Sequence, residues 1–165
     1  IEQMPQEPTD IMVLPYFTPT GTPYFDTSVK GLIYGLTLAS TRGQIIRGLL
    51  EGVAMEMKLN LEILDNCGYK INELRAIGGG AKSVKWVQLK ADVLNRVITV
   101  LDVKEAGCMG AAILAAAADA GAASSAVAQK WVKPVTVVYP QEKNAAHYEK
   151  QFQKYRSLYP AAKDK

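Results

Sequence analysis

The clearest pattern along the chain is a helical repeat of apolar residues between about Ser40 and Asn66. Steps of three and four residues predict one amphipathic helix that turns an apolar stripe towards a core. A hydroxyl at Ser40 or Thr41 can cap its start, and Gly68 suits the left-handed exit of a helix. The predicted core-facing residues are Ile45, Leu49, Val53, Met57, Leu61 and Leu64, and Ile46, Leu50 and Ala54 widen this stripe.

Short apolar runs alternate with helical patterns through the rest of the chain. Strands are predicted at residues 11–14, 74–77 and 97–101 and in the segment PVTVVYP, and helices at 107–121 and 143–159. Ser83 is the N-cap candidate of another helix, which carries Val84, Val87, Ala91 and Leu94 on one face. The alternation predicts an α/β lobe whose helices cover a mixed sheet.

Two terminal segments differ from this alternating body. Residues 1–28 are rich in proline and threonine, which predicts an extended leading segment. The helix predicted at 143–159 repeats large apolar residues at helical spacing, which predicts that it docks on the core. These residues are Tyr148, Phe152, Tyr155 and Leu158.

Three consecutive glycines, Gly78 to Gly80, stand between a predicted strand and a predicted helix, followed by Ala81 and Ser83. Backbone N–H groups in such a turn can converge on an anion, and the helix N-terminus adds favourable partial charge. Spacing excludes two familiar phosphate motifs, since a Rossmann fingerprint needs glycine at Ser83 and a P-loop needs glycine at Ala81. A tight turn with close packing also explains the glycines, so spacing alone leaves both interpretations open.

A second cluster of small residues, from Gly107 to Ala112, opens the next predicted helix about thirty residues further along. Two units of strand, small-residue loop and helix can point both helix N-termini into one cleft. Close helix packing is again the alternative. The sequence therefore predicts either one anion site shared by the two helix N-termini or two places where small residues allow close packing.

Composition narrows the chemistry further. The excess positive charge of +3 lies in the C-terminal tail. The sequence has no cluster of basic residues interleaved with exposed aromatic residues across one face, so it does not predict nucleic-acid binding. Cys67 and Cys108 are far apart, so we expect two small buried apolar residues and a reducing, cytoplasmic setting. A single histidine leaves little for a zinc site or a Ser-His-Asp triad. The longest apolar run is too short to span a membrane.

Three stretches, in order, resemble the C-terminal domain of the FGGY carbohydrate kinases, a group that includes xylulokinase and glycerol kinase. They are GLIYGLTLASTRGQIIRGLLEGVAMEM (31–57), RAIGGGAKSVKWVQLKADVL (75–94) and EAGCMGAAILAAAADAG (105–121), and the tail HYEKQFQKYRSLYPAAKD is similar to the closing helix of xylulokinase-like members. The resemblance covers nearly the whole chain, which makes residues 1–165 one C-terminal domain. Arg47, Glu51 and Gly52 match the helix of the family signature, although Gly48 stands where many members carry Ala or Ser.

The resemblance implies a lobe with the ribonuclease-H-like fold of the actin and hexokinase superfamily. Two such lobes close on Mg²⁺-ATP and a sugar. The resemblance implies that the chain is the C-terminal, ATP-binding lobe of a kinase that phosphorylates a pentulose or related polyol. The sequence from Thr20 to Pro23 differs from the sequence that many members have there, which leaves the substrate subclass open. The implied nucleotide-binding residues are Gly78, Gly79, Gly80, Ala81, Ser83, Gly110, Ala111 and Ala112.

The resemblance also implies that the catalytic base and most sugar contacts belong to an N-terminal lobe that this chain lacks. We expect the acids Asp26, Glu51, Asp92, Asp102 and Glu105 to be surface or capping carboxylates, and the chain alone to be inactive. The alternative function is a non-catalytic, actin-like nucleotide-binding or regulatory domain. No nucleic-acid or membrane partner is expected, and a homo-oligomer is compatible with the sequence.

Overall fold

A computed structural model describes residues 4–18 and 20–163. Residues 1–3 and Pro19 of the predicted leading segment, and residues 164–165, lie outside the described residues. In chain order the elements are β1 (Met12–Leu14), β2 (Leu32–Tyr34), α1 (Arg42–Asn66), β3 (Leu74–Ala76), a 3-10 turn (Gly79–Ala81), α2 (Val84–Leu94), β4 (Ile98–Leu101), α3 (Ala106–Asp119), α4 (Ser124–Trp131), β5 (Pro134–Val138) and α5 (Glu142–Lys163).

The strands form two small sheets. β1 and β2 pair antiparallel, with Val13 opposite Ile33. The second sheet has the order β3–β4–β5, in which β3 and β4 are parallel and β4 and β5 antiparallel. Because β3 and β4 run the same way, the loops that follow them leave the same edge of the sheet.

Helix α2 lies at the centre and contributes to two hydrophobic clusters. Leu89 and Val93 join the cluster made by β1, α1 and α5, whereas Ala91 and Leu94 join the cluster that covers the second sheet. The predicted apolar face of α2 is confirmed except at Val84, whose side chain is 71% exposed. Because α2 packs on both clusters, its position also fixes the 3-10 turn that precedes it.

The helix α1 and its ends are as expected, but the predicted apolar stripe is only partly correct. Ala54 is buried and Leu50 packs against the core, whereas Val53, Met57 and Leu64 are 37, 40 and 41% exposed. Thr41 forms a capping box with Gln44, and Gly68 follows the helix with a φ of 86°. The buried face is offset around the helix from the predicted stripe, because β1 packs on the small residues of α1. This buried face consists of Arg47, Gly48, Glu51, Gly52, Ala54, Met55 and Leu59.

Helix α5 closes the molecule over β1 and α1. Its four predicted docking residues, Tyr148 to Leu158, are all buried. The hydroxyls of Tyr16 and Tyr155 both donate to Glu56, at 2.9 and 2.5 Å. The rings of Tyr24 and Tyr159 stack at 3.6 Å, so the leading segment is held against the C-terminal helix.

Two short elements escaped the sequence analysis, namely β2 and α4. α4 has eight residues, no side-chain cap and no fully buried residue, so it leaves little periodic signal. The expectation that Cys67 and Cys108 are buried is wrong, since both are exposed. No helix of the described residues is long and apolar enough to cross a membrane.

Candidate functional site: the glycine turn

The glycine turn, residues 78–83, begins where β3 ends. Gly78 has a φ of 71°, a backbone conformation that residues with a Cβ rarely adopt. Its N–H donates to the carbonyl oxygen of Val103 at 3.2 Å, which ties the loop after β3 to the loop after β4. Gly78 is therefore explained by the fold itself.

The remainder of the turn leads directly into α2. The N–H groups of Ala81 and Lys82 donate back to Gly78 and Gly79 at 3.1 and 3.2 Å, which closes the 3-10 turn. Ser83 is the N-cap of α2, as predicted, and its Oγ accepts the Trp86 N–H at 3.3 Å. The start of α2 is thus fixed immediately beside the glycines.

Gly79 and Gly80 have no such explanation in the fold. A Cβ on Gly79 would have no heavy atom within 4 Å, and one on Gly80 would lie 3.6 Å from Nε1 of Trp86, an ordinary van der Waals contact. Neither glycine has a positive φ. Among the described residues, neither of their N–H groups has a hydrogen-bond partner. The turn therefore presents two backbone donors and a helix N-terminus to open space, which is the geometry that binds anions.

An open groove of about 380 Å³ borders the turn on the α2 side of the sheet. Gly78, Ala81 and Lys82 lie at its rim, and its wall is largely apolar. The wall residues include Val84 and Val87 of α2, Val100 of β4, and Val135 and Val138 of β5. The groove can thus hold an apolar group beside an anion at the turn.

Gly110 lies in a different groove. This second groove, of about 540 Å³, is lined by Arg75 and Ile77 together with Met109 and Gly110 of α3. Side chains alternate between the two faces of a strand, and Leu74 and Ala76 face α2, so Arg75 and Ile77 point to the other face of the sheet. The two loops meet at Gly78 and Val103, but α3 turns its small residues to the opposite face of the sheet. Ala111 and Ala112 are exposed on α3 and, within the described chain, line neither of these two grooves.

Sequence reasoning overlooked Lys104 and the valine wall. Lys104 follows β4 by three residues and lines the α2-side groove together with Asp102. The signal was present, because ligands of open α/β sheets bind beyond the carboxyl ends of parallel strands. Val135 and Val138 could not be placed there without knowing that β5 pairs with β4.

The signature-helix residues Arg47 and Glu51 lie in the interior rather than at this turn. The expectation that Glu51 is a surface or capping carboxylate is wrong, since it lies within α1 and is 2% exposed, beside Arg47 at 3%. Arg47 Nε donates to Glu51 Oε1 at 2.7 Å, and the Tyr148 hydroxyl donates to the same oxygen at 2.8 Å. Burial raises the pKa of Glu51, while Arg47 and Tyr148 favour its charged form. This network joins α1 to α5.

From the sequence, Asp92 is expected to be a surface or capping carboxylate. It is buried, at 4% exposure, and accepts hydrogen bonds at the start of α5, so only the capping alternative fits. It accepts hydrogen bonds from Gln88 Nε2, the Gln141 N–H and Asn144 Nδ2, each at 2.8 Å. Its charge lies at the N-terminus of α5, where the helix dipole stabilises an anion. Asp92 thus fixes the far end of α2 to α5.

Metal-ligating side chains are not grouped together in the part of the chain that the structure describes. The described residues contain no group of three or more His, Cys, Asp or Glu side chains that could hold a metal ion. Mg²⁺ is commonly held by one or two carboxylates together with substrate phosphates and waters. A Mg²⁺ ion bound together with phosphates therefore does not need a cluster of three protein ligands.

Comparison with known proteins places these features in a family. Residues 2–118 match the C-terminal domain of the FGGY family of carbohydrate kinases. The xylulose kinase of Bacillus subtilis (strain 168) is 28% identical over 165 residues, which cover 99% of this chain and 33% of that protein. The xylulose kinase of Staphylococcus xylosus is 32% identical over 150 residues, covering 90% and 31%.

Solved structures agree with the sequence comparison. The crystal structure of a xylulose kinase from Brucella ovis, 30% identical, superposes with a TM-score of 0.86 over 98% of this chain and 33% of that one. The predicted sugar-kinase lobe with a mixed sheet flanked by helices is confirmed. The chain spans about a third of the length of these relatives. It belongs to the FGGY family of carbohydrate kinases and carries sequence of their C-terminal domain.

Proposed function

We propose that this chain forms the nucleotide half-site of an ATP-dependent sugar kinase, with the glycine turn binding phosphate groups. The observation that carries the proposal is the open space around Gly79 and Gly80. Nothing in the described fold requires glycine at either position, and their N–H groups have no protein partner there. A ligand that approaches the backbone closely supplies the missing reason.

The proposed ligand is a nucleoside polyphosphate. The turn and the N-terminus of α2 would hold its phosphates, with the Ser83 hydroxyl proton available as a further donor. The valine-lined groove beside Gly78 would take an apolar part of the same molecule. The predicted contacts of Gly110, Ala111 and Ala112 with nucleotide stay a prediction, since these residues lie at and beyond the other groove.

The proposed reaction of the whole protein is transfer of the γ-phosphoryl group of ATP to a hydroxyl of a pentulose or related polyol. Its support is the similarity to proteins named xylulose kinase. Phosphoryl transfer depends on positioning and charge stabilisation by several groups at once. Glu51 and Asp92 are held in buried hydrogen bonds and are therefore not available as the base. From the family resemblance we propose that the base belongs to a part of the kinase outside this chain. The chain alone should show no turnover in a coupled ADP-release assay with xylulose.

The proposal is tested by an amide NMR titration of the chain with Mg²⁺-ADP and, in parallel, with NAD. We expect ADP-dependent shifts centred on residues 78–83, with NAD weaker. Shifts at Gly110, Ala111 and Ala112 would extend the site to α3. The absence of shifts at millimolar ADP, or shifts confined to residues remote from the turn, would contradict the proposal.

A further inference from the structure

The loop between β4 and α3, residues 102–105, is held firmly beside the glycine turn. The Val103 carbonyl accepts the Gly78 N–H at 3.2 Å, and the Asp102 N–H donates to the Lys133 carbonyl at 2.9 Å. The side chain of Val103 is buried at 8% exposure. Lys104 therefore directly follows two residues whose backbone is held in place.

The α2-side groove carries an excess of positive charge. Lys82 and Lys104 both line it and are exposed, and within the described chain neither forms an ion pair. Asp102 is the single carboxylate among the described residues of its lining. Two lysines in a groove that borders the glycine turn raise the local concentration of anions and lower the free energy of a bound one.

We propose that Lys104 is a second cationic contact for the anionic ligand of the glycine turn. It reaches the groove from the loop after β4, whereas Lys82 reaches it from the turn before α2. The inference rests on the proposed nucleotide binding and adds a ligand-contacting residue from a different loop. A lysine acts as a flexible point charge, so Lys104 should favour ligands by their number of negative charges.

The test compares the variant Lys104→Gln with Lys70→Gln by isothermal titration calorimetry. Lys70 is also exposed but lies before β3, at the opposite end of that strand from the turn. Lys104→Gln should weaken Mg²⁺-ADP binding about three- to tenfold at low salt, the effect of one partly exposed charged contact. The loss should be smaller for AMP, absent for adenosine and reduced by added KCl. Lys104→Arg should restore affinity, and Lys70→Gln should bind as the unsubstituted chain does.

Two results would overturn the inference while leaving the proposed function standing. One is unchanged ADP affinity in Lys104→Gln, and the other is an equal loss for ADP and adenosine, which indicates a structural effect without a charge contribution. Failure of the unsubstituted chain to bind ADP would overturn both proposals together. Thermal unfolding followed by circular dichroism shows that each variant is folded before it is titrated.

Discussion

Two pairs of glycines in this molecule have opposite surroundings. In α1, a Cβ on Gly48 would lie 2.6 Å from the carbonyl oxygen of Ile11, just before β1, and one on Gly52 would lie 2.1 Å from that of Val13 in β1. Backbone atoms do not tolerate such distances. In the turn, a Cβ on Gly79 would touch nothing and one on Gly80 would make an ordinary contact. The first pair serves the approach of strand to helix. The second pair serves no contact in the described fold, which is why we assign it to a ligand.

The largest expected effect comes from adding one methyl group to the first pair. Gly52→Ala should destabilise the chain by about 3 kcal/mol, because the methyl group meets the Val13 carbonyl and rigid backbone must move. Urea unfolding followed by circular dichroism measures this change. The matched control is Gly107→Ala in α3, where a Cβ meets nothing within 4 Å and the change should stay below about 1 kcal/mol. Equal urea midpoints for Gly52→Ala and Gly107→Ala would contradict the claim that a Cβ clashes at Gly52 and fits at Gly107.

A smaller effect is expected from the hydrogen bonds among Arg47, Glu51 and Tyr148, which are buried at the same face of α1 as Gly48 and Gly52. Tyr148→Phe removes the hydroxyl that donates to Glu51 and accepts from Arg47 Nη2, each at 2.8 Å. Leaving these buried groups short of one partner should cost about 2 kcal/mol. The control Tyr139→Phe, at a residue 66% exposed, should change the free energy of unfolding by less than about 0.5 kcal/mol. An unaltered midpoint in Tyr148→Phe would mean that α1 and α5 are joined by apolar packing alone.

The smallest effect is a pH dependence at the edge of the same region. Hydrogen bonds from the Ser28 hydroxyl and N–H, and from the Tyr159 hydroxyl, hold the pKa of Asp26 below its ordinary value. The ionised form therefore stabilises the folded chain above about pH 4, and this contribution is lost as the pH falls towards the lowered pKa. Asp26→Asn should be less stable than the unsubstituted chain at pH 7, with the gap narrowing below about pH 4. A gap that widens on acidification would contradict this sign.

Much of the fold could be predicted from local sequence, because periodicity and caps are local properties. The ends of α1 at Thr41 and Gly68, the N-cap at Ser83 and the docking face of α5 all follow from residues within a few positions of one another. β2 has three residues and α4 lacks a buried stripe, so both fall below what periodicity detects.

What could not be predicted depends on partners distant in the chain. α1 is apolar on more than one side, and only the approach of β1 selects the face that carries Gly48 and Gly52. Glu51 is buried because Tyr148, 97 residues away, donates to it, and Asp92 because Asn144, 52 residues away, does so. Pattern alone assigns such carboxylates to the surface.

The candidate site also combines features set by nearby residues with features that depend on residues distant in the chain. The order of strand, glycine turn and helix is visible in the sequence, and so is the N-cap that fixes it. Lys104 and the valine wall come from elements brought together by the pairing of β3, β4 and β5. The difference between Gly78, which the backbone requires, and Gly79, which it does not, appears only in the three-dimensional structure.

The most direct test of this account is the affinity of Gly79→Ala for Mg²⁺-ADP, measured by calorimetry on a variant shown to be folded. We predict that its free energy of unfolding is unchanged or raised by up to about 1 kcal/mol, because the methyl group fits and restricts the unfolded chain. We predict that its affinity for ADP falls by at least about tenfold, or about 1.4 kcal/mol. A stable Gly79→Ala chain that binds ADP as tightly as the unsubstituted one would contradict the assignment of this glycine to a ligand.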